Sequence, residues 1–333
     1  MEARSAPPAG TDVRRQGFSL RRRLDGLSVR LESLVVLLLL VFALTILSRY
    51  FFSVSNFLNI LLATSVIGVL AIGETFVISA AGIDLSIGSL LAFSGTVGAQ
   101  TVIVLGLPWP AGILAALGAG TLAGFINGVL VARAGIPPFI VTLGMLGVAR
   151  GAGLVLTGGQ SVYGLPAPIV FLGQGRLLGI PVPVIVFATV AVCAHICLAR
   201  TPFGRHIQVI GDNEFAARAM GIAVDRLRIV LYALSGLLAG LAGLLFAARV
   251  NAADPTAGLN YELTAITATI IGGTNLFGGR GSVLGTIIGA LIMGVLQNGL
   301  NLLAVQSFYQ QMAIGAVLVA AVWLDQASRQ RRA

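Results

Sequence analysis

Between Leu31 and Leu324 the chain is a series of apolar runs, most of them close to 20 residues long, separated by short breaks rich in glycine and proline. A helix of about 20 apolar residues crosses the ~30 Å hydrocarbon core of a bilayer. A soluble domain with this many such runs would lack the charged surface that keeps it dissolved. Only 10% of the 333 residues are charged and 57% are apolar, whereas soluble domains carry about 25% charged residues. The chain therefore reads as an all-α integral membrane protein, and ordinary soluble enzyme folds are excluded.

The breaks set the number of spans. The runs lie at roughly Leu31–Tyr50, Phe57–Ser79, Leu85–Leu105, Ala111–Ala132, Pro138–Leu156, Val182–Leu198, Ile229–Ala248, two within Leu263–Leu303, and Tyr309–Leu324. That predicts about ten transmembrane helices, of which the second, third and eighth are the least regular. The domain reading is an Arg-rich tail over 1–30, a transmembrane domain over 31–325 with a polar loop at 201–228, and a short tail over 326–333. The basic N-terminus before an apolar run resembles a signal peptide, but no small-residue cleavage site follows Phe52, so it is read as a retained span.

The basic residues orient this arrangement. There are 21 against 12 acids, all of them arginine, for a net charge of +9. With the N-terminus inside, Arg14, Arg15, Arg21, Arg22, Arg23 and Arg30 are cytoplasmic. So are Arg133, Arg200, Arg205, Arg218, Arg226, Arg228, Arg280 and the tail Arg329, Arg331 and Arg332. Only Arg49, Arg150, Arg176 and Arg249 fall elsewhere. The positive-inside bias then gives an even number of spans with both termini cytoplasmic. The basic excess is topological and implies no nucleic acid. The missing lysine excludes a phosphate-binding P-loop, whose pattern needs one.

Two glycine clusters carry polar groups. The first runs from Glu74 to Ser89 and includes Gly82-Ile83-Asp84-Leu85-Ser86-Ile87-Gly88-Ser89. A carboxylate at membrane depth is costly and faces protein or a cavity. Asp84 either caps the third helix, accepting backbone N–H bonds near Ser86 or Ile87, or lines a path or gate. Glu74 is open in the same way. The second is Gly272-Gly273-Thr274-Asn275-Leu276-Phe277-Gly278-Gly279-Arg280-Gly281-Ser282. No helix runs comfortably through it, and it is read as a cytoplasmic turn in preference to a re-entrant element. Other glycines, as in Gly236-x-x-x-Gly240 and Gly285-x-x-x-Gly289, suit close helix packing. Asn127-Gly128 with Gly144 recurs as Asn298-Gly299 with Gly315 at equal spacing, near opposite faces, as an inverted-topology repeat would give.

Cys193, His195 and Cys197 lie inside one apolar span and complete no metal set. The thiols are read as small buried hydrophobes. No cofactor, metal or catalytic triad is expected.

The longest polar stretch between spans is Thr201–Arg228. Within it, Gly211-Asp212-Asn213-Glu214-Phe215-Ala216-Ala217-Arg218-Ala219-Met220-Gly221 predicts a short helix. Asp212 or Asn213 is its N-cap, Glu214 complements the positive end, and Gly221 stops it. Such a low-relief helix either connects two spans or sits in a groove on a partner.

Glu214-x-Ala216-Ala217-x-x-x-Gly221 resembles the coupling-loop signature of ABC importer permeases. Gly82-Ile83-Asp84-Leu85-Ser86 with Gly88-Ser89, Gly204-Arg205, and the Gly272–Gly281 run resemble the ribose/xylose/arabinose branch, over about Phe57 to Leu303. The extended Arg-rich tails and the absence of lysine depart from that pattern. The resemblance implies a bacterial inner-membrane permease that is not itself an enzyme. It implies cytoplasmic ATPase subunits that dock on Gly211–Gly221, an extracytoplasmic sugar-binding protein, and a second permease copy as homodimer or sister subunit. A neutral sugar needs hydroxyl and amide groups along its route. The candidate path and gate residues are Asp84, Ser86, Ser89, Asn127, Thr142 and Asn275. The rivals are an ion-coupled secondary transporter using Asp84 or Glu74, and an ABC permease for another small polar solute such as a branched-chain amino acid or nucleoside.

Overall fold

The computed structural model of the protein describes residues 31–330. The expected tail over 1–30, with its arginines, and Arg331 and Arg332 lie outside the described residues. Among the described residues, seven helices are long and apolar enough to cross a membrane: α2 (Val54–Ser79), α4 (Trp109–Arg133), α5 (Pro138–Thr157), α7 (Val182–Arg200), α10 (Val224–Val250), α12 (Val283–Leu302) and α13 (Ser307–Gln330). Three shorter apolar helices accompany them: α1 (Leu31–Leu47), α3 (Ile87–Ile103) and α11 (Tyr261–Ile271). Small elements complete the chain: α6 (Ala167–Gln174), α8 (Pro202–Asp212), α9 (Glu214–Ala219) and four two-residue strands. Strands β1 (Val162–Tyr163) and β4 (Ala252–Ala253) pair antiparallel, as do β2 (Arg176–Leu177) and β3 (Ile180–Pro181).

Helix α2 is the centre of the bundle. Every residue from Thr64 to Ser79 is buried, as suits a helix apolar on all sides. The outer ring shows the reverse. Phe42 and Ile46 on α1, Leu114 on α4, Val155 on α5, Val192 on α7 and Val319 on α13 are exposed. In water such a girdle would be a liability; in a bilayer it meets lipid tails.

A glycine seam joins α4 to α10. A Cβ at Gly120 would meet the Gly236 carbonyl, one at Gly124 the Tyr232 carbonyl, and one at Gly128 the Ile229 Cα at 2.7 Å. On the other side of α10, a Cβ at Gly95 of α3 would lie 3.1 Å from the Gly243 carbonyl. The backbones of α3, α4 and α10 thus touch with almost no side chain between them. Gly285 and Gly289 of α12 press in the same way on Gly272 and on Ala268 of α11.

One end of the bundle is polar. Helices α8 and α9 lie there, and Gly211 packs against the Ser79 carbonyl that ends α2 and against the backbone of Gly278 and Gly279. The Gly279 N–H donates to Ser79 O at 3.0 Å. The run Gly272–Gly281 is therefore a turn at that end. Arg133 closes α4 and Arg200 closes α7 at the same end, while Arg49, Arg176 and Arg249 lie toward the other.

Two breaks interrupt the regular bundle. Helix α2 continues unbroken through Glu74, and the chain leaves helical geometry only from Ala80 to Ser86, with Ala81 at φ +60°. Helix α11 has 11 residues, about 16 Å at 1.5 Å per residue, too short to cross a bilayer alone. The preceding segment Asn251–Asn260 packs back onto the bundle after α10. Gly258 lies on the Gly88 carbonyl near the start of α3, and Pro255 lies against Gly153 of α5.

Candidate functional site

The loop after α7 folds into two helices rather than one. Thr201 caps α8, its hydroxyl accepting the Gly204 N–H at 3.3 Å, with Pro202 in the first turn. Ile207 and Ile210 turn into the bundle, so α8 is a surface helix with one buried face. It ends at Asp212. Asn213 is the cap of α9: its Oδ1 accepts the Ala216 N–H at 3.0 Å. Gly221, at φ +77°, closes α9 in the left-handed conformation, with the Gly221 and Ile222 N–H groups donating to the Arg218 and Ala217 carbonyls. That geometry is the αL stop that glycine permits without a Cβ clash.

Only Ala217 of α9 faces the bundle and is fully buried. Phe215, Ala216, Ala219 and Met220 face outward, Phe215 with 86% of its surface free. Glu214 braces the helix from behind. It accepts from Arg218 and, in a two-pronged contact, from both terminal nitrogens of Arg228 at 3.1 and 2.7 Å. Arg218 also holds Asp225 at 2.5 Å. Partial burial opposes charge on Glu214, yet the Arg218 hydrogen bond and the Arg228 charge hold its carboxyl below the ordinary glutamate range. Contacts with Asp225 and Glu214 hold Arg218 in its charged form.

Behind this surface, Gly211 is wedged among Ser79, Gly278 and Gly279, and the Asp212 carboxylate lies over Gly279. A displacement of α8 therefore bears on the end of α2 and on the turn between α11 and α12.

Beyond the end of α2 lies a buried polar knot. Asp84 Oδ1 accepts the Ser86 N–H at 3.0 Å and the Ser86 hydroxyl at 2.5 Å. Its Oδ2 accepts the Ser235 hydroxyl of α10 at 2.8 Å. Asn127 of α4 donates to Ser86 Oγ at 3.0 Å, and Thr142 of α5 reaches the Ile83 carbonyl at 3.4 Å. Asp84 thus organises the entry to α3, with Ser86 as the residue that begins it, and ties four helices together. Glu74 is fully buried with no hydrogen-bond partner on either oxygen. Ser89 Oγ is likewise buried and unpartnered. Asn275 stands apart, in the turn at the polar end, where its Oδ1 accepts the Phe277 N–H at 2.9 Å.

The Asn251–Asn260 segment, which packs back onto the bundle, has its own anchor. Arg150 lies 12 residues beyond the first residue of α5, about 18 Å along a helix of about 30 Å. From there it donates to the Pro255 carbonyl at 2.7 Å and the Ala257 carbonyl at 2.8 Å. Irregular backbone at this depth persists only where protein supplies its partners, and Arg150 supplies two.

The family model described as the branched-chain amino acid transport system, permease component, matches residues 56–322. The chain belongs to this permease family. Among curated proteins, the permease is 44% identical over 298 residues to the ribose import permease of Escherichia coli strain K12, covering 88% of this chain and 92% of that one. It is 44% identical over 307 residues to the ribose import permease of Bacillus subtilis strain 168, covering 92% and 95%. It is 41% identical over 277 residues to the D-allose permease of E. coli K12, covering 83% and 85%. No solved structure matches the permease.

Of the residues singled out from sequence, the permease brings Asp84, Ser86, Asn127 and Thr142 into one knot and the Gly211–Gly221 group to the polar end, with Gly211 and Ala217 turned toward the bundle. Three participants escaped that reading. Helix α8 was signalled by Thr201-Pro202, a cap followed by a first-turn proline. Arg228 reads from sequence as a topology marker and is also the brace of Glu214. Arg150 was visible as an arginine inside an apolar run, which calls for a partner at depth.

Proposed function

We propose that this chain is the membrane-spanning subunit of an ABC importer that passes a monosaccharide of the ribose, xylose or arabinose type into the cell. Its ten apolar helices make the crossings, α11 completed by Asn251–Asn260, with both termini cytoplasmic. Two copies form the pathway. Cytoplasmic ATPase subunits dock on α9, and an extracytoplasmic sugar-binding protein delivers the cargo.

The observation that carries this reading is the construction of α9. Its fixed ends and its Glu214–Arg228 brace make a rigid knob. Phe215, Ala216, Ala219 and Met220 on its free face suit a groove in a partner. The wedge at Gly211 passes motion of that knob to α2 and to the α11–α12 turn. Closure of the ATPase pair on ATP binding would press α9, and the spans would respond by alternating which side the pathway opens to. The hydroxyl and amide groups in the interior suit a neutral cargo.

The test is reconstitution of the chain with its ATPase and binding protein in proteoliposomes. ATP-dependent uptake of D-ribose or D-xylose, unaffected by a sodium or proton gradient, is expected. Uptake driven by an ion gradient in the absence of the ATPase would overturn the reading in favour of a secondary transporter.

A further inference from the structure

At the end of the bundle opposite α8 and α9, a cavity of about 380 Å³ opens between α2, α12 and the end of α10. It is lined by Asn59, Ala63, Arg249, Gly294, Gln297, Asn298 and Asn301. Four of the seven are side-chain amides and one is a guanidinium. Behind it, Asn56 and Asn298 exchange a reciprocal pair of amide hydrogen bonds at 3.0 and 2.9 Å, which fixes α2 against α12. Asn59 and Asn301 are exposed and Gln297 is half-buried; Asn301 Oδ1 accepts from Gln310 Nε2 at 2.8 Å, which leaves its amide N–H groups for the cavity. None of the sequence-derived path residues lies here.

The amides sit on helices that are otherwise strongly apolar, in their outer third. Polar side chains at such depth are expensive against lipid and face protein or an aqueous route. The volume lies at the lower end of small-molecule sites, about 300–1,000 Å³. The donor set is specific in kind. An amide offers both a donor and an acceptor, as a sugar hydroxyl does, and the cavity lining contains no carboxylate and no aromatic ring.

We infer that this cavity is the outer receiving site for the transported sugar, with Asn59 and Gln297 exchanging hydrogen bonds with the hydroxyls of a neutral polyol and Asn301 and Arg249 donating to its oxygens. The inference rests on the proposed function and adds the place and the ligand chemistry. It also separates the roles of the two polar regions. The Asp84 knot holds helices together, and the amide cavity meets the cargo.

The experiment uses the whole transporter in proteoliposomes, with uptake of D-ribose and of a deoxyribose analogue measured side by side. A site built to bond a hydroxyl rejects the analogue that lacks it. Gln297→Leu and Asn301→Leu are each expected to cut D-ribose uptake about tenfold and to narrow its preference over the analogue. Gln297→Asn should restore part of that preference. Unchanged preference in both leucine variants would overturn the inference, even if uptake falls.

A second measurement does not rely on a leucine variant folding. Gln297→Cys in a Cys193→Ala, Cys197→Ala background should be labelled by a water-soluble maleimide, at least about fivefold more slowly with saturating D-ribose than with leucine. No labelling would place the cavity against lipid or a second copy, and labelling indifferent to D-ribose would make it a water pocket; either result overturns the inference. If the wild-type complex takes up no monosaccharide, the proposed function fails. If it does and the variants match it, only the receiving site fails.

Discussion

Gly211→Ala tests the coupling route at its tightest point. A Cβ at Gly211 would collide with the Ser79 carbonyl and the Gly279 N, and would come within 3.1 Å of the Gly278 carbonyl carbon. All three are backbone atoms, so no rotamer change relieves the clash, and α8 must move away from α2 and the turn. Overpacking of a tight site costs about 1–3 kcal/mol. The move also strains the Gly279 N–H to Ser79 bond of 3.0 Å, a bond of about 0.5–1.5 kcal/mol. Together the coupled arrangement is destabilised by about 2–4 kcal/mol, and each 1.4 kcal/mol is tenfold in an equilibrium. ATP-driven uptake should therefore fall at least about tenfold, while the chain still inserts and its ATPase still hydrolyses ATP without stimulation by loaded binding protein. Gly118→Ala, where nothing lies within 4 Å, is the matched control and should be neutral. Wild-type uptake together with wild-type stimulation in Gly211→Ala would refute the route.

Three further outcomes follow from the geometry. Glu214 has a depressed folded-state pKa, so its contacts stabilise the loop above the unfolded value, about 4.3, and are lost as pH falls through the lower folded value. Hydrogen exchange of residues 213–222 should be equally protected at pH 5 and pH 7 in the wild type, and Glu214→Gln should remove the acid-dependent loss below that range. Asp84→Ala orphans the Ser86 N–H and the Ser235 hydroxyl, at about 1–3 kcal/mol for each buried group; thermal unfolding in detergent should drop clearly, and less for Asp84→Asn, which keeps an acceptor. Arg150→Met removes two charge-assisted bonds of about 1.5–3 kcal/mol each; residues 251–260 should gain hydrogen exchange, with partial recovery in Arg150→Lys, and unchanged protection would count against the anchor.

What the sequence made legible follows from range. The helices are readable where proline and glycine mark their ends, as in Gly106–Pro110 at the start of α4 and Gly135–Pro138 at the start of α5, because those signals are local. Asn213 and Gly221 bound α9 for the same reason. The break at Ala80–Ser86 was visible as a polar interruption, but whether Asp84 capped a helix or lined a path depended on Ser235, 151 residues away. The inward turn of Asn251–Asn260 was invisible because its polar residues read as an ordinary loop, and its partner Arg150 lies 105 residues earlier than Pro255. The amides of the outer cavity were individually present in the text, yet their convergence needs α2 packed on α12, which no local pattern encodes.

The seam along α10 has a consequence for how such a transporter can diversify. Where Gly120, Gly124 and Gly128 lie backbone to backbone against α10, almost any substitution pushes two helices apart, so these positions have few neighbours in sequence space. The block of α3, α4 and α10 is thereby held as one mechanical unit. Drift toward a new cargo must be written on the surfaces that this block does not own, and the faces of α2 and α12 with their long amide side chains are where a change of one residue alters what is held without altering what holds the machine together.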